Sequence, residues 1–180
     1  GAAQFRNHEG KIVTSSELTD EDMTDIGSAI PKFTYGITLN LEYKGFDFTA
    51  FGTGVAGNKI FNILYRADSP LRNSLKYYMD NAWTPENKGA SMPAVNNVAT
   101  DLNFWSSSAA MFNGSYFKIK QLQLGYTLPK RLTQKVAIKD LRFFVSLDDF
   151  FTFSNYPGMD PETATTGNNG GAGFDIGSYP

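Results

Sequence analysis

PKFTYGITLNLEYKGFDF, residues 31–48, decides the fold. Phe33, Tyr35, Ile37, Leu39, Leu41 and Tyr43 hold the odd positions, and Thr34, Gly36, Thr38, Asn40, Glu42 and Lys44 the even ones. Successive side chains of a strand point to opposite faces, so the run builds one apolar and one polar face. After Lys44-Gly45 the alternation resumes with Phe46, Phe48 and Ala50 against Asp47 and Thr49, which predicts a hairpin over 33–57. Strands of soluble sheets usually run about five or six residues. An alternation this long, aromatic at both ends of its apolar face, fits a strand that crosses a membrane in the wall of a barrel.

Composition is compatible with that reading and removes others. The 180 residues are 41% hydrophobic and 14% aromatic, too apolar for a disordered chain. A net charge of −2 leaves no basic stripe for nucleic acid. The absence of cysteine excludes disulfides, thiol catalysis and cysteine metal sites. Mean hydropathy is −0.31, and no apolar run is long enough for a membrane helix. A membrane barrel has the same averages, because only alternate residues of each strand meet lipid. The opening GAAQFRNHEG reads as mid-chain sequence, which places the start of the gene product elsewhere.

The chain on either side of the hairpin sorts into strands and loops. Residues 1–32 are polar and acidic and read as an external loop, with Thr19 as the cap of one helical turn closed by Asp22. Asn7 to Ile12 resembles the middle of a calcium loop, but Phe5 and Ser16 would hold its end positions and neither supplies a carboxylate, so it reads as a turn. The second strand is expected to loosen from Gly52, because glycine weakens strand interiors. Residues 58–114 read as a long external loop containing a helix from Ser69 and Pro70 through Leu71, Leu75, Tyr78 and Ala82, stopped before Pro85. A strand pair follows over 115–153. Its first member, SYFKIKQLQLGYTLP, puts Phe117 and Ile119 on one parity and Leu122, Leu124, Tyr126 and Leu128 on the other, so a β-bulge is predicted at Lys120-Gln121. Lys130 to Asp140 is a short basic connection, and the second member carries Leu141, Phe143, Val145 and Leu147 outward. Residues 154–180 read as a further external loop without strand signal.

Short turns therefore alternate with long loops, the pattern of outer-membrane barrels with short periplasmic turns. That orientation puts Lys44-Gly45 at the periplasmic end. It makes Tyr43, Phe46 and Tyr126 inner girdle residues and Phe33 and Tyr35 outer ones. Four strands cannot close a barrel, so the remaining wall must come from the rest of the same barrel.

Catalytic chemistry has no visible site. His8 is the only histidine, no nucleophile elbow marks a serine, and GTGVAGNK lacks the ending of a phosphate loop. Asp148 and Asp149 are adjacent in a strand, so alternation sends one carboxylate to the lumen and the other to the rim. No catalytic residue, metal ligand or cofactor is assigned. Trp83, Trp105, Tyr156 and Phe174 fall on external loops, where flat rings could stack on a substrate. A soluble or surface-attached β-rich carbohydrate-binding or adhesin module is the competing reading.

The runs IGSAIPKFTYGITLNLEYKGFDFTAFGTGVAGNKIFN, WTPEN, NGSYFKIKQLQLGYTLPK, LRFFVSLDDFFTFSNYPGMDPE and GSYP resemble the C-terminal barrel region of SusC-like, or RagA-type, TonB-dependent outer-membrane transporters of Bacteroidetes. The resemblance implies an all-β fold, a barrel of the 22-stranded type with an N-terminal plug. It also implies a surface lipoprotein of the SusD type as lid, energy from the TonB complex, and import of glycan fragments or peptides. Plug motifs and the family's last strand are expected outside these residues. Two departures stand out: Asn7-His8-Glu9-Gly10 replaces an Asn-Gly-Asp-Gly type turn, and Asp148-Asp149 replaces a Gln-Asn or Glu-Asn pair.

Overall fold

The computed structural model describes residues 2–62, 75–94, 102–166 and 171–177. Among them the strands and helices are β1 (Phe5–Arg6), β2 (Ile12–Val13), β3 (Phe33–Tyr43), β4 (Phe46–Ala56), β5 (Lys59–Asn62), α1 (Lys76–Asp80), α2 (Leu102–Trp105), β6 (Met111–Asn113), β7 (Tyr116–Thr127), α3 (Lys130–Thr133), β8 (Arg142–Ser154), α4 (Pro161–Thr166) and β9 (Phe174–Asp175). They fall into two units: 31–56 with 115–154, and 1–30 with 57–114 and 155–180.

The first unit is a four-stranded antiparallel sheet in the order β3-β4-β7-β8. The β3 boundaries coincide with the alternating run, and a two-residue turn at Lys44 (φ 48°) and Gly45 (φ 87°) joins it to β4. Contrary to expectation, β4 does not loosen at Gly52 but stays paired to Ala56. Its glycines are covered by neighbouring rings: a Cβ at Gly52 would meet Phe117 Cζ at 2.5 Å, and one at Gly54 would meet Tyr35 Cζ at 2.5 Å. Tyr35 and Phe117 stack nearly parallel with centroids 6.0 Å apart, and the Tyr35 hydroxyl donates to the Tyr116 carbonyl at 3.4 Å. The rings supply the packing that glycine lacks, so the ladder holds.

The predicted irregularity in β7 is present. Phe51 pairs with Gln121 and Gly52 with Ile119, leaving Lys120 as the extra residue. β8 carries one extra residue in turn, because Asp149 and Phe150 lie between the partners of Gln121 and Ile119, opposite the single Lys120. Asp149 takes up the offset at φ 49°.

The second unit contains strands where the sequence shows no strand signal. β5 pairs antiparallel with β6 and parallel with β9, so strands occur within both 58–114 and 154–180. Alternation over two to four residues is too short to read, and these partners lie far apart in sequence. Of the helix expected from Ser69, residues 69–74 lie outside the described residues; Leu75 is extended rather than helical, so α1 begins at Lys76, and it buries Tyr78. Tyr78, Met92 and Phe104 form one small core, and Ile60, Tyr156 and Ala164 another, with Phe112 packed against both.

In the N-terminal segment β1 and β2 form a hairpin whose turn is closed by Asn7, with the Lys11 amide donating to Asn7 Oδ1 at 2.8 Å. Thr19 caps a 3-10 turn, its amide donating to Asp22 Oδ2 at 2.8 Å. The same carboxylate accepts from the His8 amide at 2.9 Å and meets His8 Nδ1 at 2.7 Å. The bond from the His8 amide, then that from the Thr19 amide, hold the Asp22 carboxyl well below the usual carboxylate range.

Two outcomes follow from this packing. Gly54→Val drives a side chain into Tyr35 and into the Tyr116 carbonyl, 2.6 Å from the ideal Cβ, and should lower stability by about 1–3 kcal/mol in urea unfolding of the full-length protein. For Asp22 the folded value is depressed, so its contribution is complete above the unfolded value near 4 and is lost as pH falls through the folded value. Hydrogen exchange should show the His8 and Thr19 amides protected until well below about pH 4, and unprotected at neutral pH in Asp22→Ala.

Candidate functional site

Register converts the sheet into two chemically opposite faces, because residues directly opposite one another share a face. On one face the cross-strand rows read Tyr35-Gly54-Phe117-Phe153, Ile37-Gly52-Ile119-Phe151, Leu39-Ala50-Leu122-Leu147, Leu41-Phe48-Leu124-Val145 and Tyr43-Phe46-Tyr126-Phe143. No polar residue other than tyrosine interrupts them. Leu39, Leu41, Leu124 and Val145 are 46%, 54%, 54% and 68% exposed in the middle of this face. A contiguous apolar surface of that extent is costly in water and at home in lipid. No helix among the described residues is long and apolar enough to cross a membrane.

The rings gather at the two ends. Tyr43, Phe46 and Tyr126 share the row at the Lys44-Gly45 end, with Phe46 and Tyr126 centroids 4.4 Å apart. The Lys44 ammonium lies 5.0 Å from the Tyr43 ring centroid. Phe33 and Tyr35 stand at the other end. Phe143 joins the first row, and Phe117 and Phe153 join the second; carrying parity across the bulge identifies them. From Tyr35 to Tyr43 the strand rises roughly 27 Å, which at the usual 35–45° tilt gives about 21 Å of depth, near the ~25 Å apolar band of outer-membrane barrels.

The opposite face carries Gly36-Thr53-Lys118-Thr152, Thr38-Phe51-Gln121-Asp148, Asn40-Thr49-Gln123-Ser146 and Glu42-Asp47-Gly125-Phe144. At the Lys44-Gly45 end Arg142 Nε donates to Asp47 Oδ1 at 3.0 Å, and Arg142 Nη2 pairs with Asp47 Oδ2. This bridge spans the intervening strand over Gly125, where a Cβ would lie 2.5 Å from Asp47 Oδ1. At the bulge, Asp149 Oδ1 meets Lys120 Nζ at 3.0 Å and Lys118 Nζ at 3.9 Å. Simple alternation would put Asp149 on the face opposite Asp148. The left-handed backbone at Asp149 turns it toward Lys118 instead, so both carboxylates serve the polar face.

The loop aromatics have different surroundings. Tyr156 is 8% exposed, its hydroxyl donates to Asp175 Oδ2 at 2.5 Å and accepts from Asn62 Nδ2 at 2.8 Å, and its ring meets Phe112 edge-on. Burial, then the Asp175 carboxylate, push that hydroxyl above the ordinary tyrosine range. Its ring is occupied in holding the loop together. Phe174, next to Asp175, is 40% exposed and touches Phe61 edge-on. Trp83 is half-buried and its amide donates to the Met92 carbonyl at 2.9 Å, in a separate part of the loop. Trp105 ends α2, and its side chain lies outside the described residues. Among the described residues no group of histidine, aspartate and glutamate is placed to hold a metal ion.

The two faces respond differently to charge. Leu39→Arg, in the middle row, should cost about 2–4 kcal/mol in a folding assay of the full-length barrel in vesicles. Asn40→Arg, one residue along on the polar face, should cost far less; equal losses would contradict the assignment of faces.

The comparisons agree with this geometry. No protein-family model matches the chain. TonB-dependent receptor P3 of Formosa agariphila is 34% identical over 174 residues, covering 92% of this chain and 17% of the receptor. TonB-dependent receptor P26 of the same organism is 26% identical over 186 residues, covering 100% of this chain and 18% of the receptor. Among solved structures, a chain of the RagAB peptide importer in its open-open state superposes with a TM-score of 0.72 at 23% identity, covering 100% of this chain and 19% of the other. This chain thus spans less than a fifth of the length of each protein. The chain is a segment of a SusC/RagA-type TonB-dependent receptor of the outer membrane.

Proposed function

We propose that the segment belongs to an active importer that takes up glycan fragments or peptides, with a SusD-like surface lipoprotein as lid and energy delivered by the TonB complex. The observation that supports this most directly is the polarity split of the sheet, lipid-compatible on one face and lined with Lys118, Gln121, Gln123, Asp47 and Arg142 on the other, as a wall around an aqueous lumen requires. The names of the relatives supply TonB dependence, and the RagAB likeness brings peptides forward as a ligand class beside glycans. In this reading Trp83, Trp105 and Phe174 meet ligand or lid, while Tyr156 fixes the loop that presents Phe174. The soluble binding-module alternative has no place for the exposed leucine rows.

Uptake separates these possibilities. Cells carrying the full-length protein are expected to accumulate either a labelled oligosaccharide or a labelled oligopeptide, and accumulation should fall to background when the TonB complex is removed. Equilibration that persists without TonB would identify a passive pore. Trp83→Ala and Phe174→Ala should each lower uptake severalfold while the folded barrel still migrates as a heat-shifted band on a gel.

A further inference from the structure

The connection from Pro129 to Leu141 carries Lys130, Arg131, Lys135 and Lys139 against a single acid, Asp140, in a chain whose net charge is −2. All four cations are exposed, and among the described residues none forms an ion pair. The turn is ordered: the Leu128 amide donates to the Leu141 carbonyl at 2.9 Å, the Leu132 amide to the Pro129 carbonyl at 2.9 Å, and the Ile138 amide to the Thr133 carbonyl at 3.1 Å. It also exposes two apolar side chains, Leu132 at 47% and Ile138 at 39%. An ordered turn that shows water both unpaired cations and aliphatic side chains calls for a surface that is anionic and apolar at once.

Its depth identifies that surface. The turn joins Thr127 to Arg142, one step beyond the Tyr126–Phe143 pair of the ring row that also holds Tyr43 and Phe46. Residues beyond an aromatic girdle lie among lipid headgroups, and short turns of such barrels lie at the periplasmic leaflet. We propose that this turn is a docking surface for anionic phospholipid headgroups of that leaflet, with the four cations on the phosphates and Leu132 and Ile138 in the acyl boundary. A free phosphate ion would satisfy the charges but leave both aliphatic side chains in water, so the lipid is the occupant that the observations favour.

The test uses the full-length receptor in phosphatidylcholine vesicles, with a fluorescent donor at Gln134→Cys and acceptor-labelled phosphatidylglycerol or phosphatidylcholine in trace amount. Each Lys or Arg at an anionic surface strengthens association by about fivefold, so phosphatidylglycerol should be enriched near the turn by fivefold or more. The enrichment should collapse in the K130Q/R131Q/K135Q/K139Q variant and at high salt, and inorganic phosphate should not displace it. Equal transfer from both lipids, enrichment that survives in the variant, or displacement by inorganic phosphate would each overturn the proposal. Should the fourfold variant fail to give the heat-shifted band of a folded barrel, K130Q/R131Q and K135Q/K139Q, measured separately, decide the same question. Loss of that band in the unsubstituted protein would count against the membrane wall itself, whereas a folded barrel without lipid preference counts only against this docking surface.

Discussion

Parity is the constraint on which the rest of this structure depends. Side chains repeat every two residues along a strand, so a slip of one residue transfers a strand's whole apolar set to the other face. Unmodified pairing of β7 would leave Phe117 and Ile119 on one side and Leu122, Leu124 and Tyr126 on the other. The extra residue at Lys120 removes the conflict, and every row of the lipid face is then apolar. The remedy puts Asp149 in a left-handed backbone, which costs of order 1–3 kcal/mol for a non-glycine residue. Backbone left unpaired against lipid would cost more. Lys120 and Asp149 carry opposite charges 3.0 Å apart, and Lys118 lies 3.9 Å from the same carboxylate oxygen.

A second dependency runs between strands. β4 contributes Ala50, Gly52, Gly54 and Ala56 to the outer half of the lipid face, too little side chain to pack a membrane surface. Tyr35 and Phe117 lie over these positions from either side, and Phe153 continues the row with its centroid 6.4 Å from that of Phe117. Glycine on one strand and rings on its neighbours form a single unit, which explains how a glycine-rich strand remains continuous. The Arg142–Asp47 bridge uses the same logic on the polar face, where Gly125 leaves the passage it needs. Its partial exposure limits its energetic weight, so it fixes geometry more than stability.

These dependencies explain what the sequence revealed. β3 was legible because its alternation is unbroken, and the bulge because a parity slip in an otherwise regular strand has few other remedies. The far half of β4 was not legible, since glycine has no side chain with which to express parity and the rings that stabilise it lie on other strands. The face of Asp149 was misread because alternation presumes extended backbone at every step. In the loops, β5 is held by β6 and β9, and Tyr156 by Asn62, 94 residues away, and Asp175, 19 away. No local pattern encodes such pairings, so a tyrosine that anchors a loop looks like one that offers its ring to a ligand.

The sheet edges set the last condition. β3 pairs only with β4 and β8 only with β7 among the described residues, so each has one side without a strand partner. In water such edges recruit other strands; in the hydrocarbon layer each unsatisfied group costs several kcal/mol. Over eleven residues in β3 and thirteen in β8 that penalty exceeds anything the packing of the lipid face could offset. Further strands must therefore pair with both edges before this wall can rest in a membrane, and the register at which they do so is constrained in advance. A neighbour of β3 has to continue the rows that run through Tyr35, Leu39 and Tyr43, and a neighbour of β8 those through Phe143, Leu147 and Phe153, or the lipid face would be broken at the seam.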